Sequence, residues 1–448
     1  MLVSSLEPVA THLVESRYRI IRTPIPVPES LDFLARLRSV EPRSMQAMPP
    51  IIWERAQGFL VRDPYGNQWI DFTSGIVAAN AGHAHPKVMQ AIAGQASLGL
   101  AFSYAFPTRI RERALSALTG IAPPGCNKAI LFSSGTEATE CCITLMRRYG
   151  QRISPEKIGI LSIEQSYHGR TLGAKLAGGA SAIVDGLCRN AASHTQLPFP
   201  GGPESRGFLE DLSDRHVSGE RVAGIILESI PGWTTTPHPA EYIEDLRVWA
   251  RANRVLLACD EVQSGLGRTG RWFAFEHYGI TPDLIACGKG LTGCLPASAV
   301  IGPEELMDLA EPGEMSSTFG GNPITAAAVV ANLEVLRNDA LIERSERLGR
   351  ILERELRAIT ARHPDRVAQM NGRGLFFSMH LKDPETGAPA NELCDDIVLR
   401  CVRRGVLMFV TGRGFLKFTP PLVIEEDALV EGIRAVGEVV DEVEGERS

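Results

Sequence analysis

The chain has 448 residues, 44% of them hydrophobic and 22% charged, with a net charge of −7. This is the composition of a globular protein with room for more than one core, and its acidic balance argues against nucleic acid, which calls for a basic stripe. No apolar run has the length of a bilayer span, and the N-terminus lacks a signal-peptide core, so neither a membrane nor export is expected.

Residues 1 to about 50 are rich in proline and arginine and read as an ordered arm. Its one predicted helix lies between Ser30 and Val40, where Leu31, Leu34 and Leu37 fall near helical spacing. From Gly58 to Phe72, apolar and polar residues alternate around Asp63-Pro64-Tyr65-Gly66-Asn67, a hairpin pattern. A helix through Val88, Ile92 and Ala96 follows, and His83 and His85 before it are read as structural.

From Ala129 the pattern becomes strand, loop, helix, repeated, through "AILFSSGTEATECC", "KIGILSIEQSYHGRT" and "VAGIILESIPG". That alternation predicts a mostly parallel sheet covered by helices. Long helices from Ile324 lead out of it, and the remainder mixes strand and helix as a smaller α/β domain. The expected division is an N-terminal arm or small-domain segment over 1–60, a large domain over 61–330 and a small C-terminal domain over 331–448. The nine cysteines show no zinc-type spacing. Several, such as Cys259 and Cys287, sit in apolar runs, so they read as reduced thiols and the compartment as cytoplasmic.

The chemistry concentrates between Arg254 and Gly290. A buried-strand pattern, Val255 to Cys259, ends in Asp260 and Glu261, where a doubly wound sheet opens its ligand crevice. A second short run, Asp283 to Cys287, leads into Gly288-Lys289-Gly290. An acid and a lysine so placed suit pyridoxal phosphate (PLP). The lysine forms a Schiff base with the aldehyde, and the aspartate keeps the pyridine nitrogen protonated so that the ring accepts electrons.

The stretches "DEVQSGLGRTG", "KGL" and "STFGGNP" (Ser317 to Pro323) resemble the class-III, or omega, aminotransferases, PLP enzymes of fold type I. The resemblance runs from about Trp53 to about Asp427. It implies an α/β fold with a mostly parallel large PLP-binding domain and a smaller C-terminal domain. It further implies that Lys289 is the Schiff-base lysine and proton carrier, with Asp260 at the ring nitrogen. The cofactor phosphate is expected on Gly135 and Thr136, which open a helix and so offer free backbone N–H groups. The same Ser134 to Glu137 stretch also reads as a plain capping box.

By the same resemblance Tyr167 stacks on the cofactor ring beside His168, in a Tyr-His-Gly-Arg element, and Val262 packs on the other face. Gln263 pairs with the phenolic oxygen, and Glu228 is an acid near the site. Thr318 is expected to reach the phosphate across a two-fold interface, making the enzyme a homodimer.

The chain departs from the family where substrate is read. Lys417 stands where many members carry a carboxylate-reading arginine. Trp233 stands where members that handle glutamate carry a balancing glutamate, in "ESIPGW". Arg413 is a substitute reader, an ordinary loop arginine being the plainer alternative. The expected reaction is transfer of an amino group from an amine, ω-amino acid or amino acid to a 2-oxo acid. A racemase, epimerase or aminomutase would share the same cofactor residues. A nicotinamide-binding protein is disfavoured, because Lys289 would then have no purpose.

Overall fold

The computed structural model describes residues 5–178, 193–202 and 204–446. They fall into two compact units, residues 86–342 and residues 1–85 with 343–448.

The unit over 86–342 is built on a seven-stranded sheet. Its strands are β1 (Lys128–Phe132), β2 (Gly159–Ile163), β3 (His194–Leu197), β4 (Val222–Glu228), β5 (Leu256–Asp260), β6 (Leu284–Cys287) and β7 (Ser298–Gly302). The spatial order is β1-β7-β6-β5-β4-β2-β3. Strands β3, β2, β4, β5 and β6 pair in parallel, and β7 runs antiparallel between β6 and β1. Being antiparallel to both neighbours, β7 leaves β1 pointing the same way as the parallel set. The carboxyl ends of β1, β2, β4, β5 and β6 therefore open on one edge, where such sheets gather their ligands.

Every residue of β4, β5 and β6 is buried, as expected for strands covered on both faces. Helix α1 (Gly135–Ile153) lies across them, its Ala138, Cys142 and Met146 in the same core cluster as Ile226, Ala258 and Ala286. The approach is close at Gly224, where a Cβ would fall 2.1 Å from the Met146 sulfur. A glycine in mid-strand is otherwise a weakness, and this packing explains it.

The second unit joins the two ends of the chain. Gln68–Asp71 pairs antiparallel with Leu60–Arg62, the expected hairpin, and parallel with Val406–Leu407. A four-stranded antiparallel sheet contains Val367–Arg373, Phe376–Leu381, Phe415–Phe418 and Phe409–Val410. The helix expected between Ser30 and Val40 is present at Leu31–Val40. Ser74, Gly75, Ile76 and Val77 form a left-handed turn with φ of 49°, 57°, 67° and 63°. Thr73 Oγ1, accepting from Gly75 N at 2.9 Å, helps to hold it.

Candidate active site

Two acids end adjacent strands. Glu228 closes β4 and Asp260 closes β5, they are paired in register, and both are buried. Asp260 Oδ2 lies 2.8 Å from His168 Nδ1, and its Oδ1 accepts Val262 N at 3.0 Å. Each oxygen keeps a lone pair for a further donor. Burial opposes a charged His168, but the hydrogen bond and charge of Asp260, with Glu228 behind it, outweigh that and raise its pKa.

Glu228 accepts Tyr167 N at 2.8 Å on one oxygen and Gly232 N at 2.9 Å on the other, with Gln263 Nε2 at 3.4 Å. Burial pushes its carboxyl up to about 7, against His168 and those backbone donors.

Glu261, next to Asp260, is buried rather than solvated. It accepts from the Ser229 hydroxyl, Ser264 Oγ at 3.0 Å, Ala274 N at 2.8 Å and Phe275 N at 3.0 Å. Its role is to hold the loop that follows β5. Burial lifts its carboxyl to about 7 despite these four donors.

Lys289 follows β6 with a positive φ of 42° and opens a short 3-10 turn. Burial lowers its pKa, and Asp260 and Glu228 only partly offset this. Its Nζ stands 6.0 Å from the Tyr167 ring centroid.

At the head of α1 the capping box is real. Glu137 Oε2 accepts Ser134 N at 2.8 Å and Ser133 N at 3.1 Å. The box uses donors before the helix and the Glu137 amide, so the first-turn amides of Gly135 and Thr136, which no helix carbonyl can reach, are still available to an anion. The Thr136 hydroxyl is turned to Thr171 Oγ1 at 2.5 Å, and Thr171 Oγ1 donates to Glu140 at 2.6 Å. Thr136 therefore offers an anion its backbone rather than its side chain. Thr139 Oγ1 donates to His168 O at 2.9 Å and Ser298 Oγ to Ser134 O at 2.5 Å, joining this helix start to its neighbours.

These elements enclose a cavity of about 290 Å³. Gly135 and Thr136 line it from α1, Tyr167 and His168 from the loop after β2, Asp260 from the end of β5, Val262 and Gln263 from the loop after it, and Lys289 from the turn after β6. Glu228 stands behind, touching Tyr167 and Gln263. Trp233 is half-buried with its ring centroid 6.3 Å from that of Tyr167. Thr318 is exposed, outside the cavity lining, on a loop tied down by Ser317 Oγ to Glu137 Oε1 at 2.8 Å.

Lys417 and Arg413 belong to the other unit. There Lys417 is completely buried with its ammonium 4.1 Å from the Phe376 ring centroid, and Arg413 is half-buried. Sequence reasoning missed Arg170, which lines the cavity with its guanidinium 5.9 Å from the Tyr167 ring centroid. The only signal was its place in the Tyr-His-Gly-Arg element.

This donor set fits PLP. Helix amides suit its phosphate, a buried carboxylate its basic ring nitrogen, a depressed lysine its aldehyde and a tyrosine face its flat ring. The model of the aminotransferase class-III family matches residues 41–440. The chain belongs to the class-III aminotransferases.

This aminotransferase is 31% identical to the 4-aminobutyrate aminotransferase of Mycobacterium leprae, over 96% of this chain and 99% of that one. It is 32% identical to the mitochondrial ornithine aminotransferase of Oryza sativa, over 88% and 82% of the two chains. Among solved structures it superposes on the ornithine aminotransferase of Toxoplasma gondii with a TM-score of 0.83 and 28% identity, covering 93% and 95%. That structure is described with partial occupancy of PLP at its active site. The chain is thus a PLP-dependent transaminase that passes an amino group from a donor to a 2-oxo acid. The racemase and aminomutase alternative draws no support from these relatives.

Proposed function

We propose that Lys289 anchors PLP covalently and carries the proton of the transfer, with Asp260 as the partner of the ring nitrogen. The observation that carries this is one cavity lined by both side chains, with the Tyr167 ring within 6.0 Å of the Lys289 ammonium. Bound PLP acts as an electron sink for the substrate carbon. Asp260, steadied by His168 and Val262, would hold a proton on the ring nitrogen. Lys289, its pKa lowered by burial, can give up and retake a proton at the substrate Cα more readily than a solvated lysine. Borohydride reduction followed by peptide mass mapping tests the anchor. The cofactor should be fixed on Lys289, and Lys289→Ala should fold, bind PLP reversibly and lose turnover by several orders of magnitude.

Arg170 is the cation on the cavity lining that suits a substrate carboxylate, and Trp233, resting against Tyr167, supplies an apolar wall. Together they favour a monocarboxylate acceptor such as pyruvate and donors with an apolar body. A panel of amines, ω-amino acids and amino acids against pyruvate and 2-oxoglutarate tests this. Equal rates with glutamate and with apolar donors would contradict it.

The working form is proposed to be a homodimer in which Thr318 serves the partner's phosphate. Phe319 is 64% exposed beside Phe102 at 5.3 Å, and Leu98, Leu100 and Phe106 are exposed as well. The exposed Phe102–Phe319 pair next to Thr318 supports a covered interface there. The eight described cysteines are free thiols, all buried but Cys294, which supports a reducing, cytoplasmic setting; Cys188 lies outside the described residues.

A further inference from the structure

Strand β4 lies between β2 and β5, and Glu228 is its last residue. From there its carboxylate reaches the loops that follow all three strands. Tyr167 N comes from the loop after β2, Gly232 N from its own loop and Gln263 Nε2 from the loop after β5. Each of these loops brings one group to the site or beside it: the Tyr167 ring, the Trp233 ring next to Gly232, and the Gln263 amide. The loops also meet without slack, since a Cβ on Gly232 would fall 2.0 Å from Gln263 Nε2.

We propose that Glu228 is a positioning residue that binds these three loops into one array, so that the stacking face, the donor wall and the Gln263 amide keep a fixed mutual geometry. The inference rests on the reading of Tyr167 and Trp233 given above.

The chemistry of the carboxylate is essential to the role. A backbone N–H donates to each of its two oxygens, so both must be acceptors. A glutamine would turn its amide NH2 toward one of those backbone donors and release either the Tyr167 loop or the Trp233 loop. Glu228 makes these contacts to protein groups, and its effect on the reaction passes through them.

The test compares Glu228→Gln with wild-type holoenzyme by three readouts: the visible circular dichroism of bound PLP, the KM and kcat for an apolar amine donor, and the same constants for alanine. The expected result is a weakened or shifted dichroic band and a KM for the apolar donor raised at least tenfold. The KM for alanine should rise several-fold less. A variant that only melts earlier, with unchanged dichroism and an unchanged ratio of the two KM values, overturns the proposal.

If Glu228→Gln does not accumulate as folded protein, Glu228→Asp serves instead. It keeps both acceptor oxygens on a shorter arm, and the same readouts should move in the same direction. Trp233→Phe separates the two readings. If it leaves the donor ratio unchanged, the reading of Trp233 as the donor wall fails. If it shifts the ratio and the Glu228 variants do not, the array alone fails.

Discussion

Nδ1 of His168 lies 2.8 Å from Oδ2 of Asp260, and both side chains are buried. The imidazole thus fixes the orientation of the acid assigned to the ring nitrogen. His168→Phe keeps a ring but removes the donor, leaving a buried carboxylate oxygen short of a partner at a cost of about 1–3 kcal/mol. We expect kcat to fall at least tenfold and the absorbance of bound cofactor to shift. His168→Asn, which retains an N–H donor, should keep more of both. Equal rates in the two variants would show that the hydrogen bond is not what matters.

The donation of Thr318 across an interface can be read by complementation. Lys289→Ala lacks the anchor, and Thr318→Ala should lose cofactor affinity. In a mixed dimer, a threonine donated in trans leaves one site with both its own lysine and the partner's threonine. Refolding the two variants together at limiting PLP should therefore restore roughly a quarter of wild-type activity, because half of the dimers are mixed and one site in each is intact. A threonine acting within its own chain restores none.

Much of the candidate site was legible because its two acids and its lysine stand at, or just after, the end of a short apolar run. Asp260, Glu228 and Lys289 stand out where a strand pattern stops at a group that cannot remain buried without a purpose. Ser134 to Glu137 carried two readings: the capping box is formed, and it leaves the Gly135 and Thr136 amides open to the anion proposed for them.

What escaped was set by tertiary packing. Strand β7 has only a short apolar run, and its antiparallel place between β1 and β6 depends on partners distant in sequence. Nothing in the run Ser74 to Val77, with two β-branched residues, announces a left-handed turn. Lys417 lies in a strand buried throughout, where its contact with Phe376 comes from the neighbouring strand.

Glu261 gives a prediction about pH. Burial disfavours the charge and pushes its carboxyl up to about 7 when folded, against about 4.5 for a solvated glutamate. A group raised on folding binds more protons in the native state, so its contribution is complete below about 4.5 and is lost as pH rises through about 7. The shift corresponds to about 3 kcal/mol across that window. Glu261→Gln removes this titration. The stability of wild type relative to the variant should therefore decline between pH 5 and pH 8, measured by urea unfolding of the apoenzymes. A difference that stays flat, or that grows with pH, would show that Glu261 is ionised throughout.

The reading of the substrate carboxylate separates Arg170 from Lys417. Arg170 lines the cavity and has a planar fork of donors that can hold a carboxylate in two parallel bonds. Lys417 is wholly buried in the other unit with Phe376 against its ammonium, and its removal should act first on packing. A charge-assisted hydrogen bond contributes about 1.5–3 kcal/mol, so Arg170→Gln should raise KM for carboxylate-bearing donors and for pyruvate roughly ten- to a hundredfold. The KM of a carboxylate-free amine should change little. Lys417→Met keeps the stem and drops the charge, and it should shift thermal stability while leaving those KM values within about twofold. Should Lys417→Met instead raise the KM of every carboxylate substrate and Arg170→Gln none, Lys417 is the reader. Trp233→Glu in the wild-type background adds the acid that could balance Arg170 when no carboxylate is bound. It should move preference toward glutamate, and by less in an Arg170→Gln background if the two side chains act on one substrate group.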